Sequence, residues 1–449
     1  MNFISRKGYL VHKSHFTKSN ARELTVKPWS PMENTYGRAK AFALYTSHSE
    51  THMLVPKMYG ERVFGVAEWL DKENVAPMNC KFEGELRQIQ HLAQRDVCET
   101  IIQKLGSSGG AILSLYTGAG KTTCALYIAS RLGVKFAVVV HKEPLFNQWR
   151  ERIQQFLPEA RIGSVRGGTV DCEDKDVVIC MLQSIVRHDV DMSSVGLTIC
   201  DEVHHCAAQV FHRMYRGMTR PYMLGLSATP YRKDKLDNVL DWCIGPVEVR
   251  LEFQSNPDMK VLAIQHSLSY PEFLDSPPVT KMGTVNFSAC VNILAGMDAR
   301  TTKIAQETYR LYKEGRNIIV MSDRRAHCEN IQRIFRHFGG GDDALLIGGM
   351  TVDMDTPKVY FSTYSLCAEG VDIPRLNTIV FATPKADVLQ ACGRVLRQPN
   401  TVIRPLVYDF VDQWGPMYSQ ARKRASYYKA SGFEIQNSSS APRPLFITA

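Results

Sequence analysis

Two stretches of the chain, from about residue 110 to 250 and from 298 to 410, alternate short β-branched runs with segments of helical periodicity. In the first, the runs at 111–115, 137–140, 177–180, 197–200 and 223–226 are apolar at nearly every position, as strands buried on both faces are. Between two of them, 145–156 reads as a helix, with Trp149 and Ile153 four apart. This alternation predicts a parallel sheet with crossover helices. The second stretch repeats it. A helix starts near Asp298, carries Ile304, Thr308, Leu311 and Tyr312 on one face and stops at Gly315-Arg316-Asn317. Strands at 318–321, 358–361, 378–381 and 404–410 follow, with a helix from His327 to Phe338.

The fold class expected is therefore α/β, with two tandem sheet domains and a small N-terminal accessory domain. Residues 1–80 form the accessory domain, 81–251 the first sheet domain, 252–297 a connector, 298–415 the second sheet domain, and 416–449 a basic helix and disordered tail. Pro257, Pro271, Pro277 and Pro278 mark the connector as poor in regular structure. The tail begins with a helix bearing Arg422, Lys423 and Arg424 and ends in a Ser/Pro-rich segment from Ser438 to Pro444. A helical pattern entering the first sheet domain starts at Leu86-Arg87-Gln88-Ile89-Gln90 and runs through Leu92, Val97, Ile101 and Leu105 to the glycines at 106, 109 and 110.

Charge adds a partner to this picture. The net charge is +9, and the first forty residues carry eight basic side chains against Glu23 and Glu33, with Phe3, Tyr9, Phe16 and Trp29 among them. Cationic groups beside aromatic faces suit a polyanion with bases to stack; a solvated basic face of an accessory domain explains the same residues. Twelve cysteines stand singly with no C-x-x-C pair, which excludes zinc-ribbon and redox spacings and suits a reducing compartment. No apolar run approaches the ~20 residues of a membrane span, and no signal peptide opens the chain. A soluble intracellular protein, cytoplasmic or nuclear, is expected.

The candidate chemistry sits at the end of the first buried strand, in Leu115-Tyr116-Thr117-Gly118-Ala119-Gly120-Lys121-Thr122-Thr123. A strand, a glycine turn and a helix in that order point successive N–H groups and a helix dipole at a phosphate. Lys121 would bridge the β- and γ-phosphates of ATP, and Thr122 would hold Mg²⁺. The full pattern G-x-x-x-x-G-K-[ST] fails at its first position, where Leu115 stands. Some eighty residues on, an apolar strand delivers Asp201-Glu202-Val203-His204. Asp201 would share the Mg²⁺ and Glu202 would polarise the attacking water.

With these two motifs the chain resembles the DExH helicases of superfamily 2, over about residues 82 to 400. Ser227-Ala228-Thr229 matches the third motif, Ser362-Thr363 with Glu369 to Pro374 the fifth, and Gln390-Ala391-Cys392-Gly393-Arg394-Val395-Leu396-Arg397 the sixth. Members often lack the first glycine. Leu86-Arg87-x-x-Gln90, Arg232-Lys233-Asp234 and Ser322-Asp323-Arg324 with His327 are similar to the branch that includes XPB, phage UvsW and helicases of large DNA viruses, the poxviral transcript-release helicase among them.

The resemblance implies two RecA-like domains and an ATP-dependent helicase or translocase. It assigns Arg87, Gln90, Thr117, Gly118, Ala119, Gly120, Thr123 and Asp372 to the nucleotide, and Arg394 and Arg397 to the γ-phosphate as finger arginines. Ser227, Ala228, Thr229, Gln390 and Gly393 would couple hydrolysis to motion. Lys142, Gln148, Gln183, Ser184 and Thr363 would touch strand phosphates. The absence of Asp-Glu-Ala-Asp, and Gln390 where the RNA-remodelling family has histidine, favour DNA over RNA as partner, with transcription or repair proteins as further partners. A duplex translocase or RNA-displacing ATPase, and a catalytically inactive nucleic-acid scaffold, are the alternatives; the last predicts a damaged motif, and every catalytic position is intact.

Overall fold

A computed structural model describes the chain except residues 30–39, 71–73, 90, 91, 117, 189, 204–207, 229–234, 253–260, 281, 282, 348–355, 371, 372, 374, 387, 389–391, 393–402 and 440–449. It divides into two units, Met1–Phe253 and Gln254–Ala449.

The first unit opens with short strands β1 (Phe3–Ser5), β2 (Gly8–His12), β3 (Thr25–Val26), β4 (Phe42–Ala43), β5 (Thr46–Ser47), β6 (His52–Val55) and β7 (Glu68–Trp69), and two short helices, α1 (Lys18–Glu23) and α2 (Lys57–Phe64). Five strands form one sheet in the order β5-β6-β2-β1-β7, and β3 pairs with β4. Tyr9, read above beside basic groups as a stacking aromatic, is instead wholly buried. It lies so close under α2 that a Cβ on Gly60 would meet its Cγ at 2.1 Å. Trp29 remains exposed, with the Lys235 ammonium 4.6 Å from its ring centroid.

This module is joined to the larger sheet by a buried lysine. Lys57 Nζ donates to the carbonyls of Pro221 (2.7 Å), Gly109 (3.2 Å) and Arg220 (3.4 Å), while its backbone N–H donates to the Tyr215 hydroxyl at 2.9 Å. Burial pulls its ammonium pKa down to about 8. The charge survives at neutral pH because three carbonyl dipoles face it.

The larger sheet follows from a hairpin, β8 (Gln88–Ile89) and β9 (Leu92–Ala93), and α3 (Gln94–Ser108). Its elements are β10 (Gly110–Leu115), α4 (Lys121–Leu132), β11 (Phe136–Val140), α5 (Glu143–Phe156), β12 (Ile162–Arg166), β13 (Thr169–Asp171), β14 (Val177–Met181), α6 (Leu182–Ile185), β15 (Leu197–Cys200), α7 (Ala208–Met218), β16 (Tyr222–Ser227), α8 (Asp237–Cys243) and β17 (Val247–Leu251). The strand order is β13-β12-β14-β11-β15-β16-β10-β17, parallel throughout except for β12 with β13. Buried β-branched strands flanked by helices produce this architecture because both sheet faces need covering. The helix expected from Leu86 begins only at Gln94. Gln88 and Ile89 pair instead with Ala93 and Leu92, and the Gln94 side chain ties the helix start to Arg87.

The second unit contains β18 (Leu262–Leu268), α9 (Phe287–Gly296), α10 (Asp298–Lys313), β19 (Ile318–Ser322), α11 (Arg325–His337), β20 (Asp343–Leu346), β21 (Val359–Thr363), α12 (Tyr364–Gly370), β22 (Thr378–Phe381), β23 (Leu406–Asp412), α13 (Gly415–Ala430) and β24 (Glu434–Ser439). Its sheet runs β20-β21-β19-β22-β23-β18-β24, with every pairing parallel. Four expectations are corrected here. The stretch 252–297 is no plain connector, since it supplies an inner strand, β18, and the helix α9; the prolines at 271, 277 and 278 fall between these elements. The strand at 404–410 does not close the sheet, because β18 and β24 lie beyond it. Ser438 and Ser439, expected in a disordered tail, end β24, which finds its partner in β18. Arg424 is also no surface charge: it is buried against Asp409.

Candidate active site

Parallel pairing sends β10, β16, β15, β11 and β14 to the same edge of the first sheet, in that spatial order. Their carboxyl ends deliver the candidate residues: the glycine turn after β10, Ser227 ending β16, Asp201 and Glu202 after β15, Lys142 after β11, and Gln183 and Ser184 after β14. Ligands of open α/β sheets bind at such an edge.

Gly118 and Gly120 adopt φ of +91° and +85°, the left-handed region that the turn needs. A Cβ on Gly120 would also meet Gln94 Nε2 at 2.4 Å. Gln94, buried, donates from that nitrogen to the Ala119 carbonyl at 2.7 Å and accepts the Arg87 N–H at 2.9 Å. The Arg87 guanidinium donates to the Gly118 carbonyl. The wall of the turn is thus held by Arg87 and Gln94. Sequence reading missed Gln94, because its helical pattern ran back past it to Leu86. Gln90 and Thr117 lie outside the described residues.

Lys121 opens α4 from the αL cap at Gly120, and Thr122 and Thr123 complete its first turn. Lys121 Nζ donates to the Leu115 carbonyl at 3.2 Å and lies 3.9 Å from Glu202 Oε1. Glu202 itself has φ +48°, a left-handed conformation unusual for a glutamate and typical of constrained sites. That turn swings Glu202 out of strand alternation, so it and Asp201 serve one site. Asp201 accepts the Trp149 indole N–H at Oδ2 (2.8 Å) and the Glu202 N–H at Oδ1 (2.9 Å). Burial first, and the Glu202 carboxylate second, hold its carboxyl above the usual carboxylate range. Two carboxylates crowded at a buried edge, with a threonine hydroxyl on the facing helix, make an all-oxygen donor set that suits a hard divalent cation.

Ser227 is buried and Ala228 half-buried; Thr229 lies outside the described residues. Lys142 is the N-cap of α5, its ammonium pKa lowered by burial, and Gln148 is half-buried on the same helix. Gln183 donates to the His141 carbonyl at 3.2 Å, and Ser184 accepts the Gly167 N–H at 2.8 Å. Four candidate strand contacts thus share one neighbourhood of this edge. In the second unit Thr363 ends β21, its hydroxyl 3.3 Å from that of Ser365. Asp372, Gln390, Gly393, Arg394 and Arg397 lie outside the described residues. Among the described residues, no helix is long and apolar enough to cross a membrane.

Residues 83–232 match the family described as type III restriction enzyme, res subunit. The chain is 28% identical to a protein of Acanthamoeba polyphaga mimivirus named as an ATP-dependent RNA helicase, over 96% of this chain and 86% of that one. It is 25% identical to a protein of invertebrate iridescent virus 6 named as a helicase, over 80% and 84%. Among solved structures, Saccharomyces cerevisiae Dbp5 bound to RNA and ADP–BeF3 aligns over 74% of this chain and 85% of its own, at 13% identity and a TM-score of 0.50. At that identity the likeness concerns the fold: two tandem RecA-like domains.

Proposed function

Because the chain belongs to superfamily 2 of the helicases, in the group that large DNA viruses carry, and is an ATP-hydrolysing enzyme, we propose that it is a motor acting on DNA. Lys121 holds the β- and γ-phosphates in the N–H cradle of residues 118–120. Thr122 and Asp201 are the ligands for Mg²⁺, which when bound neutralises charge on the phosphates. Glu202, 3.9 Å from the Lys121 ammonium, orients the attacking water and accepts its proton. Arg87 and Gln94 keep the turn in shape, with Gln90 and Asp372 at the nucleoside. Arg394 and Arg397 stabilise charge developing on the γ-phosphate. Ser227, Ala228, Thr229, Gln390 and Gly393 pass hydrolysis on to motion. Lys142, Gln148, Gln183, Ser184 and Thr363 hold the strand by its phosphates, so binding is independent of sequence.

The observation that carries this is the convergence of the Lys121 ammonium with the Asp201 and Glu202 carboxylates at the edge where the glycine turn lies. The naming of the mimivirus relative as an RNA helicase favours a second reading, displacement of RNA without duplex separation. ATP turnover measured with single-stranded DNA, duplex DNA, RNA and a DNA–RNA hybrid separates the two. Strongest stimulation by DNA is expected. Stimulation by RNA or hybrid alone selects the second reading, and none by any of the four ends both.

A further inference from the structure

Asp201 is tied to the β11–α5 segment twice, once by its backbone and once by its carboxylate. Its backbone N–H donates to the Val139 carbonyl of β11 at 3.0 Å, and its Oδ2 accepts the Trp149 N–H of α5 at 2.8 Å. The same segment carries Lys142 at the α5 cap and Gln148 beside Trp149, and Gln183 is bonded to it at the His141 carbonyl. Trp149 is almost wholly buried among Leu145, Phe146 and Ile153, so a shift of α5 carries its ring along. An indole N–H can only donate. It therefore fixes the rotation of the carboxylate, leaving the remaining lone pairs of both oxygens for a cation.

Resting on the function proposed above, we propose that Trp149 is a positioning residue. Through its N–H it transmits the docking of a nucleic-acid strand on Lys142 and Gln148 to the metal-holding carboxylate of Asp201. Strand binding at the α5 end of the sheet edge thereby sets the carboxylate angle two strands away from the glycine turn, and turnover rises when a strand is held. The ring's bulk packs the core, and the N–H carries the signal.

Trp149→Phe in the full chain separates these two roles. Four quantities are read: the ratio of ATP turnover with and without saturating strand, the Mg²⁺ concentration for half-maximal turnover, the gain in fluorescent-ADP affinity that Mg²⁺ confers, and the melting temperature. We expect the stimulation ratio to fall about tenfold, the Mg²⁺ requirement to rise and the Mg²⁺-dependent gain in ADP affinity to shrink, with strand affinity as in the wild type. An unchanged ratio and unchanged Mg²⁺ dependence in a variant that merely melts earlier would overturn the proposal, leaving Trp149 a packing residue. Trp149→His, which keeps a ring N–H, guards against misfolding of the phenylalanine variant. It should recover part of the ratio, and a folded histidine variant with normal ratio and no N–H bond to Asp201 would equally refute the relay. Wild-type turnover that ignores every strand offered would end the underlying function as well, a result distinct from either variant's.

Discussion

Arg424 and Asp409 meet in the core of the second unit with essentially no exposure, the guanidinium Nε 2.9 Å from Oδ2 and 3.0 Å from Oδ1, and Nη2 2.8 Å from Oδ1. Tyr428 donates to the same carboxylate at 3.1 Å, and Arg424 Nη1 donates to the Lys385 carbonyl at 2.7 Å. Helix α13 is thus latched to β23. Breaking such a pair strands a buried charge, which typically costs about 3–5 kcal/mol. Asp409→Asn should lower the stability of the second unit by that order in a denaturant titration followed by circular dichroism. A change under about 1 kcal/mol would show the pair to be solvated in solution.

Lys121→Ala and Glu202→Gln should each abolish ATP turnover, for different reasons. The first removes the phosphate contact and should weaken nucleotide binding; the second leaves the cradle intact, so ATP stays bound unhydrolysed. Equilibrium binding of fluorescent ATP beside turnover distinguishes them. Normal turnover in Glu202→Gln would remove that residue from its role.

Gln94 spends both ends of its amide on the protein, at the Arg87 N–H and the Ala119 carbonyl. It shapes the turn rather than reading a base. Gln94→Ala should weaken ATP and GTP alike, by about tenfold, whereas Gln90→Ala should cost ATP more than GTP if Gln90 reads adenine. Competition of the two nucleotides against fluorescent ADP gives the comparison, and a purely ATP-selective loss in Gln94→Ala would reverse the assignment.

Acid should loosen the seam between the N-terminal module and α7. There His212 lines a small cavity with Lys7, Leu44, Leu54, Val55, Pro56, Tyr215 and Arg216. Burial, and then the Arg216 charge, lower its pKa from 6.5 to about 4. Between these values the unfolded chain takes up a proton that the folded chain refuses, so stability falls as pH drops from 6.5 toward 4. The loss is of order 3 kcal/mol at the lower end. His327 in the second unit, lowered to about 3 by burial, adds a loss of the same sign. His212→Leu should flatten the first unit's dependence in denaturant titrations at successive pH values; an unchanged slope would mean that His212 titrates normally.

Much of the fold was legible in the sequence because strands such as Leu197–Cys200 and Ile318–Ser322 are buried on both faces and read as nearly continuous apolar runs. β18 hid because Gln265, His266 and Ser267 interrupt it, and its place between β23 and β24 depends on chain far downstream. The glycine turn and the Asp201-Glu202 pair were legible too, since phosphate chemistry demands those residue types at those spacings. Gln94 and Trp149 were not: each acts through a partner remote in sequence, and a glutamine or tryptophan on a helix carries no mark of what it will touch. Arg424, third in the basic run Arg422-Lys423-Arg424, reads as solvated for the same reason, its carboxylate partner lying fifteen residues away on β23.

Lys57 gives the first eighty residues a weight their size conceals. Its ammonium plugs the carbonyls of Gly109 and Pro221, at the feet of β10 and β16, and its neighbour Tyr59 sets its ring 5.5 Å from that of Trp242. A shortened protein beginning at residue 81 would lose this keel. It would present bare carbonyls and an oily flank at the foot of the strand that bears the glycine turn, so a sluggish or clumping fragment would say little about what the missing segment does for the motor.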